Sequence, residues 1–209
     1  MYNTDELNLD TLHEECGVCG IYGGDDAASL TALGLHALQH RGQEAAGIIT
    51  YDQDTFHKHH DTGHVGDIFN DSKIIDDLPG NISIGHVRYS TAGSKNSFAC
   101  QPIFAELDTG GIALAHNGNL TNALVLRESL VKSGAIFRTT SDTETIVQLI
   151  AKSQRDKFID KLIDTLFQIQ GGYSLVLMTN KKLVGVRDPL GIRPLVIGKL
   201  KNSYIFASE

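Results

Sequence analysis

Apolar positions recur with a helical period in several stretches of the chain. Over 27–39, Leu30, Leu33, Ala37 and Leu38 share one predicted face, and Gly42 follows shortly after. A second helix is predicted over 122–133, stopped by Gly134 at a position suited to a left-handed cap. Over 141–152, Ser141 and Glu144 form a capping-box pattern ahead of Ile146, Leu149 and Ile150. The stretch 157–168 carries Phe158, Leu162, Ile163, Leu166 and Phe167 at helical spacing.

Strand patterns surround these helices, at 17–22, 46–50, 82–88, 112–116, 173–179, 182–187, 195–198 and 204–207. Asn180 and Lys181 make a short hairpin connection. Leu175, Val176, Leu177 and Met178 are apolar on both parities, as in a strand covered on both faces. Strands in runs, with helices grouped between them, predict α+β layers rather than a βαβ sheet. No glycine-rich phosphate loop follows a strand, which argues against a nucleotide site.

Composition sharpens this picture in a few places. The length of 209 residues suits a single large domain. Glycine is frequent, at 21 residues, and proline scarce, at 4, which fits strands joined by tight turns. The net charge of −7 comes with no basic run, against nucleic acid or an anionic membrane surface as partner. Asp5, Glu6, Asp10, Glu14 and Glu15 place five of those seven charges in residues 1–15. That leader has neither the basic start nor the apolar core of a signal peptide. No apolar stretch is long enough for a membrane span, and a cytoplasmic location is expected.

Three cysteines, an odd number in a reducing compartment, argue against a disulfide framework. Cys16 and Cys19 form a C-x-x-C pair. A zinc site needs further ligands, and Cys100 and the cluster His57, His59, His60 and His64 lie at no standard finger spacing. A redox pair should lead into a helix, whereas Cys19 leads into a strand. Cys19 and Cys100 read as small buried hydrophobes. Cys16 differs, because the acidic leader ends directly before it. Removal of the leader after Glu15 would give Cys16 both a thiol and an α-amine. Their reference pKa values, about 8.5 and about 7.7–8.0, let the amine take the thiol proton near neutrality. The residues alone leave that reading level with a buried structural thiol in an unprocessed chain.

Several segments occur in a fixed order: CGVCGIYG at 16–23, LQHRGQEAAGI at 38–48, GHVRYSTAGS at 85–94, AHNGNLTN at 115–122, TSDTE at 140–144, GGYSLVLM at 171–178 and RDPLGIRPL at 187–195. Together they resemble the glutaminase domain of the amidophosphoribosyltransferases, within the class II glutamine amidotransferases. The likeness runs from Cys16 to nearly the end of the chain. It implies a four-layer αββα sandwich with an N-terminal nucleophile. It also implies release of ammonia from glutamine and its transfer to phosphoribosyl pyrophosphate, opening purine synthesis. The other readings are the glutaminase domain of another class II amidotransferase, or a catalytically silent domain of the same fold.

On that resemblance Cys16 is the nucleophile, and its amine the base. Asn117 and Gly118 form the oxyanion hole through the side-chain amide and the Gly118 N–H. Read alone, Asn117-Gly118 is a type I′ hairpin turn. Arg88 pairs with the glutamine α-carboxylate and Asp142 with its α-ammonium; Asp142 would also serve as a helix-dipole partner. Residues 89–97, with Tyr89 and Thr91, resemble the loop that closes over glutamine. Arg41 and Gly42 belong to the family signature and are expected to support the nucleophile or the substrate. His36, His40, His86 and His116 are expected to be structural. No metal or cofactor is expected in these residues. The resemblance implies Mg2+ in the intact enzyme and leaves open whether it carries an iron–sulfur cluster, whose ligands would lie outside this chain. It is expected to be a homo-oligomer. The sequence stops at Glu209 inside FASE, so a truncated domain is expected, with the phosphoribosyltransferase domain absent from this chain.

Overall fold

The computed structural model describes residues 16–89 and 100–209. Its strands build two antiparallel sheets. In the first, β1 (Gly17–Tyr22) lies between β4 (Ile82–Arg88) and β10 (Ser203–Ala207). Outside β4 come β2 (Ala45–Asp52) and β3 (Thr55–Thr62); outside β10 comes β9 (Val196–Leu200). The second sheet runs β5 (Ile103–Leu107), β6 (Gly110–Leu120), β7 (Gly171–Thr179), β8 (Leu183–Arg187).

Side-chain alternation along each strand makes a layered molecule. Val18, Ile49, Ile82, Ile84, Ala113, Ala115, Val176 and Met178 fill the space between the sheets. The opposite parity of the first sheet, including Cys19, Ile21 and Ile48, packs under α1 (Ala27–Ala37) and α2 (Val65–Ile68). The opposite parity of the second, including Ile112, Leu114, Leu175 and Leu177, packs under α5 (Asp142–Lys152), α6 (Phe158–Leu166) and the end of α4 (Ala123–Lys132). A short α3 (Ser72–Asp76) precedes β4. Helices, sheet, sheet, helices: this is the expected αββα sandwich, and the doubly apolar run in β7 is the strand covered on both faces.

Several local expectations change in the fold. The buried face of α1 is Ala27, Ala28, Thr31 and Leu35, while Leu33 and Ala37 are exposed. Thr31 goes inside because its hydroxyl pairs with that of Ser83, which in turn donates to the Ala27 carbonyl (2.9 Å). On α6, Ile163 and Phe167 point to solvent. Ser141 caps α5 by accepting the Thr143 N–H (3.2 Å), but Glu144 does not close the capping box. Its carboxylate instead accepts the N–H groups of Arg138 and Thr139 and the Thr139 hydroxyl, each at 2.8 Å, and so ties down the loop that enters the helix. Gly134 ends α4 with φ 95°, as expected. The strands β3 and β5 are additional to those predicted. β3 is the polar edge TFHKHHDT, where histidines and a lysine hide the strand signal.

Gly20 sets how closely the sheets approach. A Cβ there would stand 2.6 Å from Val176 Cγ1 and 3.1 Å from Leu183 Cδ1, well inside van der Waals contact. Gly20→Ala is expected to lower stability by about 1–3 kcal/mol through overpacking. Denaturant unfolding checks this; an unchanged midpoint would mean that the sheets have room to spare.

Candidate active site

Of the expected site residues that the structure describes, Cys16 precedes β1, Arg88 ends β4, Asn117 and Gly118 lie in β6 and Asp142 opens α5. Cys16 stands just before β1, with φ 68°. Its nitrogen donates to the Arg41 carbonyl (2.9 Å), and its Sγ lies 3.9 Å from the Tyr89 carbonyl oxygen. The pairing of Gly17 with Val87 brings the end of β4, Arg88 and Tyr89, beside it. Arg88 continues the inward parity of Ile82, Ile84 and His86. Cys19 lies on the other face of β1, under α1, and burial pushes its thiol up to about 12. That inert thiol is the small buried hydrophobe expected, and the C-x-x-C spacing does not give a pair acting together.

Asn117 and Gly118 sit inside β6, paired with Ser174 and Tyr173, so they are not a hairpin turn. Asn117 follows the inward parity of Ala113 and Ala115 and is fully buried. Gly118 has φ 146°, and a Cβ there would meet the Gly172 carbonyl oxygen at 2.2 Å. Strand pairing on one side and a glycine-only conformation on the other override the local turn signal.

Buried hydrogen bonds join these elements. His86 Nε2 lies 3.1 Å from the His116 carbonyl oxygen, linking the two sheets next to Asn117. Since a carbonyl can only accept, this ring nitrogen carries the proton. His116 Nδ1 lies 3.1 Å from Thr143 Oγ1 and 3.5 Å from Asp142 Oδ1, tying β6 to the start of α5. The other Asp142 oxygen accepts the Leu120 N–H (2.9 Å). Burial pushes the Asp142 carboxyl up, but its bond to His116, the charge of that ring, and the N–H groups of Leu120 and Thr143 outweigh it and hold it below the usual range. An ionised carboxylate is therefore fixed at the first turn of α5. Thr91 lies outside the described residues, as do the other residues of 90–99 and the leader 1–15.

Sequence reasoning passed over three residues that hold this arrangement. Gln101 accepts the His116 N–H (2.8 Å) and donates to Thr143 Oγ1 (3.1 Å). Ser208 accepts the Val18 N–H (3.0 Å), and Asn117 Nδ2 lies 3.5 Å from its hydroxyl oxygen. Glu209 receives the Arg41 guanidinium at 3.1 and 3.2 Å, and His40 Nε2 lies 2.5 Å from it. The buried Arg41 is thus engaged through its side chain by Glu209 and through its carbonyl by Cys16. The only signal for the last two was FASE itself, polar residues where a strand should end. Among the described residues, no three His, Cys, Asp or Glu side chains could hold a metal ion, and the histidines of β3 do not form such a group.

A family model described as "Glutamine amidotransferase domain" matches residues 86–209. An amidophosphoribosyltransferase of Lacticaseibacillus casei is 45% identical over 187 residues, which are 90% of this chain and 96% of that one. The chain belongs to the amidophosphoribosyltransferase family. The family relative from Rhizobium etli is 56% identical over 98% of this chain. This amidophosphoribosyltransferase-family chain spans 41% of that relative's length and 40% of the Vigna aconitifolia one's. The solved glutamine phosphoribosylpyrophosphate amidotransferase of B. subtilis, complexed with ADP and GMP, superposes with a TM-score of 0.87 at 39% identity, over 93% of this chain and 42% of that one. The fold is accordingly that of the N-terminal-nucleophile amidohydrolases. No helix among the described residues is long and apolar enough to cross a membrane.

One buried and one half-buried imidazole, His86 and His60, make this family domain acid-sensitive. Burial lowers His86 to about 3 and His60 to about 4, against an ordinary value of 6.5. Below that ordinary value the unfolded chain binds protons that the folded chain refuses, so stability falls as pH drops from about 6.5. Each ring contributes at most about 1.4 kcal/mol per pH unit. The lowered carboxyls of Asp142, Asp188 and Glu209 act the other way in range: their stabilisation is complete above the ordinary carboxylate pKa and is lost only as pH falls through their folded values. Acid destabilisation should therefore begin near pH 6.5, before the carboxyls of Asp142, Asp188 and Glu209 take up protons. Imidazole nitrogen shifts should report His86 neutral in the folded protein at pH 5; a positive ring there would contradict this account.

Proposed function

We propose that the chain is a glutaminase that uses Cys16 as its nucleophile and delivers ammonia for transfer to phosphoribosyl pyrophosphate, the first step of purine synthesis. The observation that carries the reading is that Cys16 and the end of β4 with Arg88 are strand neighbours, while Asn117 on the facing sheet is linked to them through Ser208 and the His86–His116 bond. The match to amidophosphoribosyltransferases supports it, as does likeness to a solved structure described as the allosteric regulatory enzyme of purine biosynthesis, with a TM-score of 0.89 at 40% identity over 93% of this chain.

In this reading the leader 1–15 is removed and Cys16 becomes the first residue. Its amine, oriented by the Arg41 carbonyl, takes the thiol proton. The thiolate adds to the glutamine side-chain carbonyl, and the oxyanion is received by the Asn117 amide and the Gly118 N–H. As the intermediate collapses, the Cys16 ammonium returns its proton to the leaving nitrogen, so that ammonia departs and a γ-glutamyl thioester remains, which water then cleaves to glutamate. Arg88 takes the substrate α-carboxylate as a fork on two oxygens. Asp142, held ionised, takes the α-ammonium. Tyr89, Thr91 and the rest of the loop close over the substrate and keep water from the thioester until ammonia has left. The phosphoribosyl acceptor, with its Mg2+, and any iron–sulfur cluster belong in this reading to the additional length of the relatives. So does a homo-oligomeric, cytoplasmic enzyme.

Glutaminase activity of the processed chain against Cys16→Ala is the direct test. The variant should keep its fold and lose glutamate formation, because alanine cannot form a thioester; activity near the parent's would move the nucleophile elsewhere. Arg88→Ala and Asp142→Ala should each raise KM for glutamine strongly, since an unpaired charge in a desolvated pocket costs about 2–5 kcal/mol. Unaltered glutamine affinity in either variant would remove that residue from the substrate site.

A further inference from the structure

Ser208 lies one residue beyond β10 and is completely buried. It is bonded to β1 twice: its N–H donates to the Val18 carbonyl, and its Oγ accepts the Val18 N–H, both at 3.0 Å. The same Oγ lies 3.5 Å from Asn117 Nδ2 on the opposite sheet. A hydroxyl has one hydrogen and two lone pairs. With Val18 on one lone pair, the hydroxyl hydrogen needs an acceptor, and the neighbouring side chain is the Asn117 amide. As placed, that amide turns its donor end to Ser208, while its Oδ1 is buried with no hydrogen-bond partner.

The two ends of a carboxamide have nearly the same shape and opposite hydrogen-bonding character. Turning the Asn117 amide end for end resolves both imbalances. The Ser208 hydroxyl then donates to Oδ1, and Nδ2 takes the position in which Oδ1 had no partner. What remains is a buried N–H donor with no acceptor in the protein. Such a group costs stability in a resting fold, and it is the arrangement that stabilises charge developing on a substrate oxygen. We infer that Ser208 is a positioning residue for the oxyanion site: its hydroxyl holds Asn117 with Nδ2 presented to the tetrahedral intermediate. This rests on the glutaminase reading above and adds to it a residue and an orientation.

The test is steady-state glutaminase kinetics of the full chain carrying Ser208→Ala, Ser208→Thr, Asn117→Ala or both Ser208→Ala and Asn117→Ala. Ser208→Ala should lower kcat about tenfold to a hundredfold with KM for glutamine little changed, because binding is retained while one donor is misaligned. Ser208→Thr, which keeps the hydroxyl, should recover most of the rate. The double variant should be no slower than Asn117→Ala, since Ser208 acts through Asn117. The aldehyde analogue of glutamine, glutamate γ-semialdehyde, forms a thiohemiacetal with a thiol and puts an oxygen where the oxyanion forms. Its affinity should fall in Ser208→Ala while that of glutamate holds. Should Ser208→Ala fail to fold, Ser208→Cys fills the site with a somewhat larger side chain and a weaker donor, and should give an intermediate rate. A parent rate in Ser208→Ala, or a loss of kcat with undiminished aldehyde affinity, would overturn the inference while leaving the glutaminase reading intact. Undiminished activity in Cys16→Ala and Asn117→Ala would instead overturn that reading, and this inference with it.

Discussion

A neutral imidazole between two sheets fixes the geometry on which the site depends. His86 is fully buried, and its Nε2–H reaches the His116 carbonyl across the inter-sheet space. Arg88 lies two residues further along one strand and Asn117 one residue along the other. The relative position of Arg88 and Asn117, the proposed substrate-binding cation and oxyanion donor, is thereby tied to a hydrogen bond from a ring that its burial keeps uncharged. His116 passes the constraint outward to Thr143 and Asp142 at the start of α5. A site spread over two sheets and a helix end is held together by His86 and His116, which in the proposed mechanism never touch substrate.

The second constraint comes from far along the chain. Ser208 and Glu209 follow β10, which pairs with β1, and they engage Val18 and Arg41 on either side of Cys16. Residues about 190 positions apart therefore fix the backbone around the thiol. Their hydrogen bonds are worth little individually, on the order of 1 kcal/mol each. Their value is in leaving the segment after Cys16 one arrangement.

Much of this was legible in the sequence, and the reasons differ by residue. The doubly apolar run of β7 announced a strand covered on both sides, and Ser141 announced the start of α5, because each depends on local pattern alone. The inward face of α1 was legible in part: Leu30 and Leu38 pack inward, but Leu33 and Ala37 do not, and Thr31 is buried through a hydroxyl pair with Ser83 that no hydropathy pattern reveals. Glu144 fitted a capping box and serves a neighbouring loop instead. Asn117-Gly118 carried a strong turn signal, yet lies inside a strand whose pairing with β7 decides its conformation. Only the ordered set of motifs pointed to it. Gln101, Ser208 and Glu209 went unnoticed because their roles depend on partners distant in sequence.

The central claim is that Cys16 is exposed as an N-terminal residue and carries the glutamyl group. Mass analysis of the chain, quenched in acid during turnover of glutamine, tests it most directly. The account predicts a polypeptide beginning at Cys16 with one γ-glutamyl group on that residue, released by mild base as a thioester would be. Turnover by a chain that retains residues 1–15, or a glutamyl group on any other residue, would contradict it.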